Sequence, residues 1–269
     1  MARRLGSDSA AQPRGCLMKL AAQVVQEMKG KSRAACPLYQ EIMEHVLSRY
    51  DPVFAKDSFS KKYAELAADP EWFANSLVAN AALEGYGAEQ IWKFSNTLDS
   101  DEYAQQVRQH ALDESRHSTM FISALDLVFP GLRQASGKDV QVQIAALQPR
   151  YSQYKHPEII KSGLEDRLFE VDSIKELIQV HITEIRALVL QYMLRDVMLA
   201  HAPKENAQRL VRISDSLIAD EGRHIYYSAR IFENYAASNR DMFFHYFEFY
   251  MQRFNELTLE ELSREELEL

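Results

Sequence analysis

The sequence is short of the residues that interrupt regular structure. Its 269 residues include only 9 glycines and 8 prolines. Because these residues form the turns between short strands, their scarcity argues against a turn-rich β sandwich and favours long, uninterrupted helices. No run of eighteen apolar residues occurs, so we expect no membrane-spanning segment. The length is sufficient for a large core in one domain, or two at most.

Cysteine and positive charge are scarce as well. Cys16 and Cys36 provide neither a disulfide framework nor a CxxC metal site, so reduced thiols in the cytoplasm are the simpler account. The basic N-terminal segment lacks a following apolar region, which argues against a secretory signal. A formal net charge of −8 argues against a nucleic-acid partner. We therefore expect a cytoplasmic protein without a nucleic-acid or membrane partner.

Helix start and stop signals divide the chain into segments. We expect residues 1–15 to be a flexible lead-in and residues 16–269 to form a single helical domain. Two or three short helices are predicted before residue 68. Four long helices should follow, at about 70–97, 101–129, 165 or 171–201, and 203–237. A loop with some short helix separates the second from the third, and an aromatic-rich last helix covers 241–257.

Each predicted long helix carries a glutamate in the middle of its apolar stripe. These residues are Glu84, Glu114, Glu184 and Glu221, and their neighbours at helical spacing are mostly apolar. A carboxylate buried alone is costly, so it must be paired, protonated or bound to a cation. Four such carboxylates on four consecutive helices make a metal the simplest explanation.

The four glutamates belong to a repeated pattern. A lone glutamate is followed, after gaps of 28 and 35 residues, by Asp-Glu-x-Arg-His at 113–117 and again at 220–224. Such gaps fit two antiparallel helical hairpins. Glutamate and histidine at i and i+3 share a helix face, and four helices with this set can build a two-metal carboxylate site. The predicted metal ligands are Glu84, Glu114, His117, Glu184, Glu221 and His224. Surface ion pairs on ordinary helices are the alternative.

Charged residues next to the predicted ligands suggest supporting roles. Asp113 and Asp220 are candidates to hold the second ring nitrogen of the ligand histidines, each serving the histidine of the opposite half. Arg116 and Arg223 would offset surplus negative charge, or else form exposed ion pairs. His181, one turn before Glu184, is expected to support the ligands from outside or to be a buried histidine with other partners, with a seventh ligand as the alternative.

Glycine also stands beside the predicted ligands. Gly85 and Gly222 directly follow two of the glutamates, and Gly87 lies close by. Glycine inside a helix costs about 1 kcal/mol relative to alanine. Its presence here therefore predicts a close backbone approach or a π-bulge, with plain helix packing as the alternative.

The donor set and the motif both point to iron. Carboxylates and imidazoles are hard to borderline donors that suit iron, with manganese possible at one position. Over residues 70–237 the chain resembles the ferritin-like di-iron carboxylate oxygenases. The repeated Glu–gap–Asp-Glu-x-x-His pattern looks like that of p-aminobenzoate-type N-oxygenases, and Asp-Glu-x-Arg-His is similar to bacterial multicomponent monooxygenase hydroxylases. This resemblance implies an all-α, ferritin-like four-helix bundle with flanking helices, two iron ions and dioxygen as co-substrate.

Departures from these families leave the subclass open. Leu217 stands where the N-oxygenases have an additional histidine, Leu188 where the hydroxylases have threonine, and Phe121 where ribonucleotide reductase small subunits often have a radical tyrosine. The resemblance implies an oxygenase that acts on a small organic substrate by N-oxygenation, hydroxylation or oxidative cleavage. It also implies an external electron donor and, by analogy, a homodimer. The alternatives are a ferritin- or rubrerythrin-like protein for iron handling or peroxide scavenging, and a radical-generating subunit.

Overall fold

The computed structural model describes residues 36–50, 52–132 and 171–267, and the side chains of 172–260 within the last range. This part of the chain is helical and contains no β-strand, which confirms the all-α prediction. The helices are α1 (Pro37–Tyr50), α2 (Asp57–Leu66), α3 (Pro70–Ser95), α4 (Asp101–Val128), α5 (Val171–His201) and α6 (Ala207–Leu267). Two 3₁₀ turns, Val53–Ala55 and Lys204–Asn206, precede α2 and α6. The predicted lead-in over 1–15 lies outside the described residues, and so does the predicted loop over 131–165 apart from its first two residues.

Side-chain caps explain where α3 and α4 begin. Asp69 accepts a hydrogen bond from the backbone N–H of Glu71 at 2.9 Å, and Pro70 occupies the first turn of α3. Ser100 accepts one from the backbone N–H of Tyr103 at 3.4 Å and so caps α4. Both caps satisfy donors that a helix start leaves unpaired, and both beginnings agree with the sequence prediction.

The last two predicted helices form one bent element. Only Asn239 leaves helical geometry, at φ −135° and ψ 38°, and α6 then continues to Leu267, ten residues beyond the predicted end. The side-chain amide of Asn239 donates to the backbone carbonyl of Tyr235 at 3.3 Å. A polar side chain that satisfies a local carbonyl lets the chain kink without a loop.

The four long helices pack as two pairs around a shared interior. α3 lies along α4, α5 lies along α6, and α4 also contacts α5 and α6. α1 packs against α6, where the Glu233 carboxylate accepts from the backbone N–H groups of Leu38 and Tyr39 at 3.3 and 2.9 Å. Within the described ranges, no helix combines the length and the apolar character that a membrane crossing needs.

The predicted glutamates lie between two apolar clusters, one toward each end of the long helices. α3 contributes Leu77 to one cluster and Ile91 to the other, with Glu84 between them. α6 likewise contributes Leu217 and Ile225 on either side of its own glutamate. The apolar packing therefore encloses a polar layer that crosses the four helices at mid-length.

Candidate metal centre

The structure brings all six predicted ligands together in this polar layer. Five of them are buried, and Glu84 is partly buried. Their donor atoms fall into two groups, and within each group all of the atoms lie within 4.8 Å of one another. The His117 group consists of Glu84, His117 and Glu221, and the His224 group consists of Glu114, Glu184, His224 and His110.

His110 is a buried histidine that the sequence pattern did not predict as a site residue. Its Nε2 lies 3.2 Å from Glu114 Oε1 and 3.3 Å from Glu184 Oε1. It precedes Glu114 by one helical turn, so the i, i+4 spacing on a shared helix face was the available signal. A search for Glu-x-x-His alone does not include that position.

Several donor atoms come close together without hydrogen bonding, although His224 Nδ1 and Glu184 Oε2 are within hydrogen-bond distance at 3.1 Å. Five atoms are buried without a hydrogen-bond partner among the described residues: His110 Nε2, Glu114 Oε1, His117 Nδ1, and both carboxylate oxygens of Glu221. Yet each lies only 3.2 to 3.8 Å from an ionisable group of the opposite type, histidine or carboxylate. Buried polar atoms almost always have partners, so close donor atoms that face a common point fit a cation site.

Spacing within the His224 group supports this interpretation. His224 Nδ1 lies 3.1 Å from Glu184 Oε2 and 3.3 Å from Glu114 Oε1. Atoms held about 2.1 Å from one metal ion are about 3.0 Å apart at right angles and about 3.4 Å apart in a tetrahedron. The observed separations fall inside that range, so these donors can share one ion.

Two carboxylates stand between the groups. Glu221 places Oε1 3.8 Å from His117 Nδ1 and Oε2 3.6 Å from His224 Nδ1. Glu114 Oε1 lies 3.5 Å from His117 Nδ1 and 3.3 Å from His224 Nδ1. Each carboxylate is therefore within reach of both groups, as carboxylates shared by two neighbouring ions must be.

The outer nitrogen of each motif histidine contacts an aspartate from the opposite hairpin. His117 Nε2 donates to Asp220 Oδ2 at 3.1 Å, and His224 Nε2 donates to Asp113 Oδ2 at 3.4 Å. This is the crosswise arrangement that the sequence predicted. A proton held on Nε2 leaves the Nδ1 lone pair directed at the carboxylates, where a metal would bind.

Two half-exposed arginines close this layer. Arg116 contacts Asp113 at 3.2 Å and also Asp220, while Arg223 contacts Asp113 at 3.3 Å and also Asp220. Each arginine thus pairs with the aspartate of its own helix and with the one across the bundle. The structure thus shows ion pairs for both arginines, and their role in offsetting charge at a loaded site stays a prediction.

The carboxyl groups differ strongly in proton affinity. Burial, with the charges of Glu184 and Glu114, raises the pKa of Glu221 to about 8. Burial and the neighbouring Glu114 also raise the pKa of Glu84 well above its usual range. Although burial opposes it, the hydrogen bond from His224 and the nearby arginines lower the pKa of Asp113 to about 2. A metal ion would displace the protons that the inner carboxyls retain.

His181 lies outside both groups, which agrees with a supporting or buried histidine rather than with a seventh ligand. Its Nε2 accepts from the Tyr39 hydroxyl at 2.6 Å, and its Nδ1 donates to Ser228 Oγ at 2.7 Å. Burial lowers the pKa of His181 to about 3, so the ring stays neutral. Ser228 Oγ in turn donates to the backbone carbonyl of His224 at 2.7 Å, which links His181 to the ligand helix only indirectly.

The predicted close approach at the glycines is wrong for Gly87 and Gly222. A Cβ at either position would meet no heavy atom within 4 Å among the described residues, beyond their own helix backbone. Both positions lie in uninterrupted α-helix, without a π-bulge. Neither packing nor backbone geometry in this part of the chain therefore requires glycine there.

The buried His/Glu cluster could thus hold metal ions, and its donor types suit iron or manganese. A fold alone does not assign a reaction, so any assignment must come from this site. No family model matches the chain, and neither a curated protein nor a solved structure does so.

Proposed function

We propose that this protein is a ferritin-like di-iron carboxylate oxygenase that uses dioxygen to oxidise a small organic substrate. The main support is the set of close donor atoms that four helices bring to one layer, five of them buried without a hydrogen-bond partner among the described residues. Manganese at one position is compatible with the same donors. The pairing of α3 with α4 and α5 with α6 is consistent with a ferritin-like bundle.

In this proposal, the position of each residue decides which of the two ions it would bind or support. Glu84 and Glu184 would each hold one ion, while Glu114 and Glu221 lie within reach of both groups and could serve either ion. Two bound Fe(II) ions would supply electrons for the reduction of dioxygen. Asp113 and Asp220 hold the motif histidines in the tautomer that leaves Nδ1 free.

Apolar neighbours would keep water away from the reacting substrate. Phe121, Leu188 and Leu217 are 1%, 4% and 0% exposed, and each lies one turn from a residue of the site. Exclusion of water protects a reactive intermediate from side reactions. An external electron donor completes the cycle, since the ions must be reduced again after each turnover. The cytoplasmic setting and the homodimer stay predictions.

The direct test is anaerobic loading of the full chain with Fe(II), followed by rapid mixing with dioxygen. We expect about two irons per chain and a transient visible absorption that an accepted substrate shortens. Glu114→Ala should lose both iron and absorption, whereas Glu102→Ala, an exposed position on the same helix, should keep them. Absence of specific iron binding in the unmodified chain would sink the proposal.

The same experiment separates the alternative functions. Accumulation of iron well beyond two per chain would favour a ferritin-like role. A long-lived organic radical in the EPR spectrum would favour a radical-generating subunit. Only an oxygenase should show a transient absorption whose lifetime a substrate shortens. This result distinguishes it from both alternatives.

A further inference from the structure

His110 divides its two ring nitrogens between the carboxylates and a tyrosine. Nδ1 lies 2.9 Å from the Tyr227 hydroxyl, whereas Nε2 faces Glu114 and Glu184 at 3.2 and 3.3 Å without a hydrogen bond. If Nδ1 carries the proton and donates it to Tyr227, the Nε2 lone pair points at two carboxylates. Such an arrangement is repulsive unless a proton or a metal ion lies between them, and a metal ion can take the place of that proton.

His110 and His224 approach the same carboxylates side by side. Their ring centroids are 3.7 Å apart, and the rings are inclined by 25°. His110 Nε2 and His224 Nδ1 lie 3.2 and 3.3 Å from the same oxygen of Glu114. Each also lies within 3.3 Å of an oxygen of Glu184. Two nitrogens and two carboxylates therefore surround one point.

Among the described residues, the His117 group has no counterpart of His110. The second motif places Leu217 four residues before Glu221, as His110 stands four residues before Glu114. Leu217 is fully buried in an apolar cluster. The His117 group therefore offers one imidazole where the His224 group offers two, and imidazole is a favourable donor for first-row transition metals.

We propose that His110 is a seventh protein ligand and that it makes the two metal positions unequal, so that the His224 group fills first. This inference rests on the proposed two-metal function and adds to it a ligand and an order of loading. The shared carboxylates then become available to the second ion with their orientation already set by the first.

The test is a titration of the metal-free full chain with Co(II), in which absorption and calorimetry detect binding. The unmodified chain should bind two ions in two steps. His110→Leu, which copies Leu217, should weaken the first step by more than the roughly 10- to 100-fold that loss of an outer partner costs. His117→Leu should instead remove the weaker step. The matched control is His181→Leu, which replaces a buried histidine outside both groups and should keep both steps.

Proton NMR of the Co(II)-loaded chain gives a readout that does not depend on affinity. Each metal-bound imidazole retains one exchangeable N–H with a large paramagnetic shift. We expect three such signals in the unmodified chain and in His181→Leu, but two in His110→Leu. Three signals and two unchanged steps in His110→Leu would overturn the role of His110. Failure of the unmodified chain to bind Co(II) would instead overturn the two-metal function itself.

A second variant keeps the test decisive if His110→Leu does not fold. Tyr227→Phe leaves His110 in place and removes only the partner of Nδ1, so the first step should weaken by about 10-fold. The second step should not change. An unchanged first step in this variant would overturn the proposal.

Discussion

Three positions before its lone glutamate, the α3–α4 hairpin has Ala81, whereas the α5–α6 hairpin has His181. The Ala81 backbone carbonyl accepts from Ser118 Oγ at 2.6 Å, which ties α3 to α4. The His181 ring ties α5 to α6 through Ser228 and also reaches Tyr39 on α1. The two halves thus share their motif residues but join their helices by different contacts.

A second difference lies on the other helix of each hairpin. His110 precedes one motif and contacts the inner carboxylates, while Leu217 precedes the other and packs in the apolar core. The Asp–Arg layer, by contrast, is the same in both halves. The internal repeat therefore preserves the groups that orient the motif histidines and varies the groups around them, which allows the two metal positions to diverge.

The largest effect is expected at a carboxylate that both groups share. Glu221→Gln should abolish tight binding of both ions, because the amide offers a poorer ligand to each. The metal-free variant should nevertheless be more stable than the parent at neutral pH, since burial makes the Glu221 carboxylate costly. Urea unfolding with chelator and Fe(II) titration measure the two effects.

The raised pKa of Glu221 also fixes how its contribution to stability changes with pH. The pKa of Glu221 is about 8 in the folded chain against an ordinary 4.5, so the folded state binds the proton more tightly. The contribution of Glu221 to the stability of the metal-free protein should therefore fall as pH rises from 4.5 to 8. Glu221→Gln should reduce that fall. A variant with an unchanged pH profile would show that this carboxyl is not the source.

The opposite pH dependence is expected from His181. Its pKa of about 3 lies below the ordinary 6.5, so only the unfolded chain takes up this proton between those values. The contribution of His181 to stability should fall by about 1.4 kcal/mol for each unit that pH drops in this window. His181→Gln should remove that contribution, while His245→Gln, an exposed histidine, should keep it. Urea unfolding at pH 4, 5 and 6.5 tests this, and parallel slopes for all three chains would contradict it.

The sequence predicted the repeated residues well because a helical repeat converts spacing directly into a shared face. Asp113 and Asp220 could be paired with the opposite histidines for the same reason. The contact between Tyr39 and His181 could not be predicted, since it joins residues 142 positions apart on helices whose packing the pattern does not specify. The kink at Asn239 depends on one side-chain bond and has no periodic signal.

Each aspartate should affect metal binding at the group whose histidine it contacts, and that histidine belongs to the opposite motif. Asp113→Asn should weaken the step that belongs to the His224 group by about 10- to 100-fold, and Asp220→Asn should do the same to the His117 group. The reason is that each aspartate orients a histidine of the opposite hairpin. Co(II) titration, with the paramagnetically shifted N–H signals as markers, identifies the affected group. The crosswise assignment would be contradicted if metal binding weakened instead at the group whose histidine belongs to the same motif as the substituted aspartate.

The smallest effect is expected at the one position where the two motifs differ. The first motif has Ser115 there, and the second has Gly222. Gly222→Ala should stabilise the metal-free protein by about 1 kcal/mol, because alanine costs less in a helix and the described residues leave its Cβ unobstructed. Gly87→Ala, equally unobstructed, should give a similar gain and serves as the matched variant. Urea unfolding measures the gain, and Co(II) titration should show unchanged binding. If Gly222→Ala alone impairs binding, then the backbone beside Glu221 has a role in the loaded site that packing of the metal-free chain does not explain.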